Sequence, residues 1–540
     1  MRAFFSIISL LLVLGLFFGG HYIWSGFYWI LAIIAPLIIT GIYDMTQNKH
    51  AITRNFPLIG RSRFIAEWMR PKLYQYFVES DTDGKPIPRI HRSIVYQRSK
   101  KENATTPFGT QSNVYAEGYE WMNHSILPLN YDQLKHDQRV LVGGPDCKKP
   151  YSLSLLNISA MSYGSLSANA IQALNGGAKI GGFAHNTGEG GISPHHIKNG
   201  GDLIYQIGTG YFGCRSDEGG FSEEAFLKTI NGANVKMIEI KLSQGAKPGH
   251  GGILPASKVT PEIAEIRGIK MGSDVMSPPS HKEFNTPEGL LLFVKQLRDL
   301  SDGIPIGFKL CVGNRFEVLA ICKAMIKTGI LPDFIAVDGG EGGTGAAPLE
   351  FSNSVGMPYK EGLATVYDAL IGFNIKKEIT LIASGKIMTG FHMIRTIAIG
   401  ADACYSARAM MLSLGCIQAL ECNLNTCPVG VATQNKTLMK GLVVKEKKKR
   451  VANFHEETVK SFVELMGAAG ISDPDEITRY HINRRIIMNR HENYEQVYPY
   501  ITEGCLLKYE TIPESWAADM GISTASSFKP KFTATFIEED

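Results

Sequence analysis

From Ala3 to Tyr43 the chain carries no Asp, Glu, Lys or Arg, and its apolar residues fall in two runs, about Phe4 to Phe18 and about Tyr28 to Ile42, parted by GGHYIWSG. Such runs predict a helical hairpin that crosses a bilayer twice, with the Tyr and Trp of the break at an interface. Arg2 precedes the first run, and Lys49, Arg54, Arg61, Arg63, Arg70 and Lys72 follow the second. Cations on both flanks place them, and the body of the protein, on the cytoplasmic side of the cell membrane. Residues 46–150 mix aromatic and basic positions without a clean period and read as an irregular lead-in.

From Tyr151 the pattern changes. Eight short apolar runs, each ending in small or polar residues, alternate with helix-like stretches: LSLLNISAMS, GFAHNTGEGG, LIYQIGTG, MIEIKLSQG, IPIGFKL, DFIAVDGGEGG, ITLIASGK and ADACYSARA. This alternation across residues 151–435 predicts an α/β fold, a (β/α)8 TIM barrel whose chemistry gathers at the carboxyl ends of the strands. After it, EETVKSFVELMGAAG and PDEITRYHINRRI read as helices of a C-terminal helical extension, residues 436–540, with a loosely structured end. The first segment, residues 1–45, is then a two-helix membrane anchor.

A chain of 540 residues with 44% apolar residues and 56 glycines suits a globular enzyme, and a net charge of +4 gives no reason to expect nucleic acid. The run KEKKKR, Lys445 to Arg450, reads as a solvated helix face, and Arg484, Arg485 and Arg490 as part of a solvated or salt-bridged helix. Cys147, Cys214, Cys311, Cys322, Cys404 and Cys505 show no paired spacing, and the odd total of nine argues against a disulfide framework and for a reducing compartment. Cys416, Cys422 and Cys427 differ: they share the run GCIQALECNLNTCPVG at C-x5-C-x4-C spacing, the last followed by proline. Grouped thiolates of this kind suit an iron-sulfur site, and three of them favour a three-iron cluster or a four-iron cluster with a foreign ligand.

Within the barrel, unusual residues cluster at the expected strand ends: Ser162, Glu189, Gln206, Lys241, Gln244, Lys309, Asp338, Ser384 and Gly385. The run DGGEGGTGAAP after the sixth strand, with SGKIMTG and YSARAMM after the seventh and eighth, predicts a phosphorylated cofactor, because glycine-rich loops there commonly hold phosphate. GTGYFG matches a dinucleotide fingerprint literally but opens no helix with a later ribose acid, and no Walker A run is present, so neither a nicotinamide nor a nucleotide site is expected. Lys241, Gln244, Lys247 and Arg267 sit among glycine turns and suit a carboxylate-bearing substrate. Glu189, in NTGEGG, is placed to bind an amine or trade protons.

These residues carry a resemblance. ISAMSYGSLS, NTGEGG, KLSQGAKPGHGG, DGGEGGTGAAP and GCIQALECNLNTCPVGVATQ, in that order from about Asn157 to Gln434, resemble the FMN-binding synthase domain of the glutamate synthases. The resemblance implies FMN on the barrel and a 3Fe-4S cluster on Cys416, Cys422 and Cys427. The implied reaction is reductive amination of 2-oxoglutarate with ammonia, through 2-iminoglutarate, to L-glutamate. By the same resemblance Gln244, Lys247 and Arg267 hold the substrate carboxylates, Glu189 receives the ammonia or nascent amine, and a cation such as Lys241 or Lys309 stabilises the negative charge of the reduced flavin. The resemblance further implies that Ala160, Met161, Ser162, Gln206, Lys241, Lys309 and Asp338 surround the flavin, and that its phosphate sits on the loop with Gly339, Gly340, Gly342, Gly343 and Thr344 and on the loops with Gly385, Lys386, Ala407 and Arg408. The chain begins Met-Arg and enters an apolar run, where large members begin with a glutamine amidotransferase, so ammonia is expected from elsewhere. Reductant is expected from a separate electron donor protein, a ferredoxin or an NAD(P)H-reductase subunit, and an oligomer is compatible with the reading. His250 in KPGHGG stands where an acidic residue is expected in large members, which keeps an amine-joining synthase open as an alternative. So is an FMN-dependent dehydrogenase or oxidase of another 2-oxo, 2-hydroxy or amino acid; a non-enzymatic relic scaffold is the third reading.

Overall fold

Eight parallel strands close into a barrel in the computed structural model: β1 (Leu156–Ile158), β2 (His185–Asn186), β3 (Leu203–Ile207), β4 (Val235–Lys241), β5 (Ile306–Cys311), β6 (Phe334–Asp338), β7 (Thr380–Ser384) and β8 (Ala403–Ser406). Six lie inside the runs read from the sequence, β4 begins two residues before its run and β5 ends one residue after its own, and β8 pairs back to β1 with Cys404 opposite Leu156. Residues 1–102 and 105–532 are described, in two units, Met1–Arg89 and Ile90–Asp540.

Alternation along the strands sorts the barrel interior by height. A lower layer is apolar, with Ala184, Ile204, Met237, Phe334, Ala336, Ile382 and Ala403 in one buried cluster. Two residues further along the strands stand Asn186, Gln206, Glu239, Asp338 and Ser384. A period of two keeps these on the same inward face, so the interior turns polar toward the carboxyl ends. At Gly307 the inward space belongs to the ring and carbonyl of Phe334, and a Cβ would collide with both.

The lead-in is more ordered than its sequence suggests. It holds the helices Ala51–Asn55, Arg61–Leu73 and Arg89–Lys100, and a hairpin made by Arg139–Val142 and Tyr151–Ser154. Val142 and Leu153 of that hairpin are fully buried against the lower barrel layer, a burial that contributes roughly 1.5–3 kcal/mol per side chain. Arg139 donates to Gly182 O at 2.6 Å, Tyr151 Oη to Asp202 at 2.8 Å and Gly144 N to Asp333 Oδ1 at 2.8 Å. All three partners lie just before barrel strands, so the hairpin is the floor at the amino end.

The C-terminal extension also departs from expectation. Lys445 to Arg450 do lie on a helix, Val444–Ala468, but PDEITRYHINRRI forms two short 3-10 turns and the strand Ile482–Ile487. That strand pairs with Glu120–Met122 and with Arg490–Asn493, so the Arg484, Arg485 and Arg490 group lies on strands. Arg485 Nε donates to Val114 O at 3.1 Å and Arg490 pairs with Glu492. The final stretch carries a helix, Glu514–Ile522, whose Trp516 is buried; residues 533–540 lie outside the described residues.

In the first unit, the helices Arg2–Tyr22 and Phe27–Thr46 are long and apolar enough to cross a membrane. They run past both ends of the expected spans, because Gly19 and Gly20 stay helical and the break narrows to Ile23–Gly26.

Candidate active site

Loops at the carboxyl ends of the strands bring Glu189, Lys241, Lys247 and Arg267 together. Glu189 follows β2 and accepts an ion pair at 2.8 Å from Lys241 Nζ at the end of β4. Burial would raise the Glu189 carboxyl, but Lys241, Lys247 and Arg267 together hold it below the usual carboxylate range. Lys247 is buried on the loop after β4 and its Nζ donates to Ala346 O at 3.1 Å. Burial pushes its ammonium down to about 8, against the pull of Glu189. Gln244, half-buried, shares this turn and offers its carbonyl to Lys247 N at 3.4 Å.

Arg267 arrives from the helix Pro261–Arg267. Its sequence signals are complete: Thr260 caps the start by accepting from Ile263 N, Pro261 opens it, and Gly268 at φ 61 closes it. The helix delivers a buried guanidinium whose Nη2 donates to Tyr163 O at 2.9 Å and whose face lies 5.1 Å from the Phe212 ring. Burial lowers it to about 10, opposed by Glu189.

Beneath this group lies a second polar layer. Asn186 Nδ2 and Gln206 Nε2 donate to Glu239 Oε1 at 2.9 and 2.6 Å, and burial raises the Glu239 carboxyl. Lys309 pairs with Asp338 at 3.2 Å, and Asp338 also accepts from Gly245 N at 2.9 Å. His281 bonds Lys241 O through Nε2 at 2.9 Å and the Tyr211 hydroxyl through Nδ1 at 2.9 Å. A carbonyl can only accept, so Nε2 carries the proton and Nδ1 accepts from Tyr211. Asn186, Glu239 and His281 were missed in the sequence; Glu239 was open to detection, since it stands two residues before Lys241 on the same strand face.

The glycine loop after β6 is packed backbone on backbone. Gly339 N donates to Ser384 O at 3.1 Å, Gly340 N to Met357 O at 2.8 Å and Gly342 N to Gly339 O at 2.9 Å. With these amides engaged, the three residues contribute chiefly by lacking side chains: a Cβ at Gly340 would meet Gly356 O at 2.6 Å. Arg408 passes over Gly343 and donates to Glu341 O at 2.8 Å. Thr344 is exposed on the same loop, Gly385 backs onto Tyr359, and Lys386 holds a left-handed φ of 55. Ala407 directly precedes Arg408 at the start of the helix Arg408–Ser413. Ala160, Met161 and Ser162 line the loop after β1, where a Cβ at Gly188 would strike the Ser162 and Met161 backbone. Among the described residues Glu239 Oε2 and Arg267 Nε are buried without a hydrogen-bond partner. An arginine over a glycine-rich loop, in a barrel whose polar strand ends hold the partnerless buried Glu239 Oε2, fits a phosphorylated polar cofactor such as FMN.

Cys416, Cys422 and Cys427 lie within electrostatic reach of one another, and burial first, then the two neighbouring thiols, raise Cys416 to about 11. Their loop has no regular structure and takes left-handed backbone at Gln418, Leu420 and Asn425. Asn425 holds it in place, donating to Ser257 O at 2.9 Å and accepting from Gln434 N at 2.7 Å. Lys258, buried beside Cys422 and Cys427, donates to Ser165 O at 3.0 Å and Ala432 O at 2.9 Å. Gly345 of the glycine loop lies against Cys422, so the thiols adjoin the loop proposed for phosphate. Among the described residues no three His, Cys, Asp or Glu side chains converge tightly enough for a single metal ion. All nine cysteines are free.

A family model described as "Conserved region in glutamate synthase" matches residues 101–472. The "Glutamate synthase large subunit-like protein YerD" of Bacillus subtilis is 36% identical over 496 residues, which is 84% of this chain and 94% of that protein. The "Archaeal glutamate synthase [NADPH]" of Methanocaldococcus jannaschii is 36% identical over 316 residues, 58% of this chain and 59% of its own length. The "Glutamate synthase [NADPH] large chain" of Bacillus subtilis is 36% identical over 287 residues, only 18% of its length. A match over most of the barrel-bearing unit, and a relative aligned along nearly its whole length, place this chain in the glutamate synthase family of FMN-dependent oxidoreductases.

Proposed function

We propose that the chain makes L-glutamate by reductive amination of 2-oxoglutarate through 2-iminoglutarate, tethered to the cell membrane by its first two helices with the barrel in the cytoplasm. One observation carries the substrate class. Lys241, Lys247 and Arg267 face a single carboxylate, Glu189, which leaves two positive charges for a dicarboxylate to neutralise. Arg267 and Lys247 bind and orient the two carboxylates, while Glu189 takes up or returns a proton at the incoming amine. His281, oriented by Tyr211, fixes the strand end that carries Lys241. Ala160, Met161, Ser162, Gln206, Lys309, Asp338, the loop from Gly339 to Thr344, and Gly385, Lys386, Ala407 and Arg408 would hold FMN, which supplies hydride chemistry when bound. Cys416, Cys422 and Cys427 would hold a 3Fe-4S cluster, which supplies one-electron transfer from a separate donor protein.

The test is direct. Purified protein reduced under anaerobic conditions with dithionite, then given 2-oxoglutarate and an ammonium salt, should form L-glutamate, and its acid-released flavin should chromatograph as FMN. Oxidation of another 2-hydroxy or amino acid with no glutamate formed under reduction would move the assignment to a dehydrogenase or oxidase.

Two substitutions probe the substrate pocket. Arg267→Lys should weaken 2-oxoglutarate by about 1–3 kcal/mol, the scale of a charged hydrogen bond, because lysine cannot reproduce the planar fork. Flavin content should not change; an unaltered 2-oxoglutarate affinity would remove Arg267 from the pocket. Lys247 sets a pH dependence: its folded pKa is depressed to about 8, so its charge is present below that value and lost above it. The KM for 2-oxoglutarate should rise as pH passes upward through about 8, and this limb should vanish in Lys247→Met.

A further inference from the structure

The helix Arg61–Leu73 continues into a wide turn, Tyr74–Val78, and no residue of either is buried. Its apolar side chains are large: Ile65 is 58% exposed, Trp68 66% and Phe77 81%. Phe64, Ile65, Trp68, Met69, Leu73 and Tyr76 recur at helical spacing and form one stripe, while Arg63, Glu67 and Arg70 take the opposite side. Lys72 falls within the stripe, its Nζ 3.6 Å from the Trp68 ring centre, an arrangement in which the ammonium can extend toward the headgroups while its stem stays apolar.

The position of this helix is set by the second apolar helix. Asp44, 2% exposed near the end of Phe27–Thr46, pairs with Arg61 through Nη2 at 2.7 Å and Nε at 3.0 Å and accepts from Leu58 N at 3.1 Å. A helix of 20 residues is about 30 Å long, the thickness of a bilayer core. The Asp44–Arg61 clamp therefore starts the amphipathic helix where the second span leaves the membrane.

We propose that Arg61–Val78 lies flat on the cytoplasmic leaflet, with its Trp68 stripe among the acyl chains and Arg63, Arg70 and Lys72 on anionic lipid headgroups. It rests on the reading of the first two helices as a membrane hairpin. Continuity with that hairpin and the basic flank select a lipid surface over a protein partner, and such helices sink about 5–10 Å into the headgroup boundary.

Brominated lipids report depth. The full chain and Trp68→Phe would be reconstituted into phosphatidylcholine vesicles, with and without phosphatidylglycerol, carrying bromine either high on the acyl chain or near its end. The difference between the two proteins isolates Trp68; of the four tryptophans left, Trp24 and Trp29 report the hairpin, and Trp24→Phe/Trp29→Phe separates them from Trp121 and Trp516. Quenching of Trp68 at least about twofold stronger by the high bromines is expected for an interfacial helix. It should grow with phosphatidylglycerol, and the growth should disappear when Arg63, Arg70 and Lys72 are all changed to Gln. Trp68 unquenched while Trp24 and Trp29 are quenched would overturn the proposal in favour of a protein partner or a second copy on this face. Stronger quenching by the deep bromines would also overturn it, and no quenching of any of the three would remove the hairpin reading itself.

Discussion

Cys422→Ser should abolish turnover with a protein electron donor while leaving a flavin that dithionite still reduces. A serine oxygen is a hard ligand that stays protonated at neutral pH and does not replace a thiolate on iron. The neighbouring loop contacts do not depend on the sulfur: the Asn425 side chain bonds Ser257 and Gln434, and the Lys258 side chain bonds Ser165 and Ala432, all at backbone atoms of the partners. The variant should therefore fold, bind FMN on the barrel loops and lose iron. Iron analysis, the paramagnetic signal of the oxidised protein and donor-dependent turnover would be measured side by side. Iron-free wild-type protein, prepared without air and fully active with its donor, would sink the cluster assignment and leave a simple flavin enzyme.

Lys309→Met should cost about 3–5 kcal/mol of stability, the range for removing one partner of a buried ion pair. Lys309 is 4% exposed and stands between Asp338 and Glu239, whose attraction outweighs burial and raises its pKa, so it is fully charged near neutrality. Without it two carboxylates share a low-dielectric layer. Glu239 is already pushed up by burial, with Lys309 pulling it down, and the substitution removes that pull. A raised folded pKa means that the folded state keeps a proton the unfolded chain has released. The deficit should then be small in acid and deepen as pH climbs from the ordinary carboxylate range to the raised value of Glu239. Unfolding midpoints across that range measure it, and adding Glu239→Gln should recover part of the loss. A deficit that does not vary with pH would show that Glu239 carries no charge next to Lys309.

Motif reading picked out the residues that the fold brings together around Glu189, the proposed substrate pocket, because they lie in short runs. Glu189 in NTGEGG, Lys241 to Lys247 in KLSQGAKPGHGG and Arg267 behind a complete set of helix signals were legible one by one. The layer below them was not. Glu239 reads as an ordinary strand residue until Asn186 and Gln206 from two other strands are seen donating to it, and His281 gains meaning only from its bond to Lys241 O. The lead-in was misread because Lys72 falls within the apolar stripe of Arg61–Leu73 and Pro71 lies inside the helix, and both hide its period.

The barrel itself was determined by the sequence, since strand length, apolar content and order are local properties repeated eight times, and closure follows once eight such units twist in one sense. The cysteine group and the two apolar helices were likewise written locally, in spacing and in composition. What tertiary structure alone decided was pairing at a distance. Ile482–Ile487 became a strand because Glu120–Met122 offered it an edge, against a local pattern that reads as helix. Val142 and Leu153 became a barrel floor because the apolar lower layer stood open beneath them. Strand propensity depends on the partner and burial on the whole enclosure, and neither is carried by the residues alone.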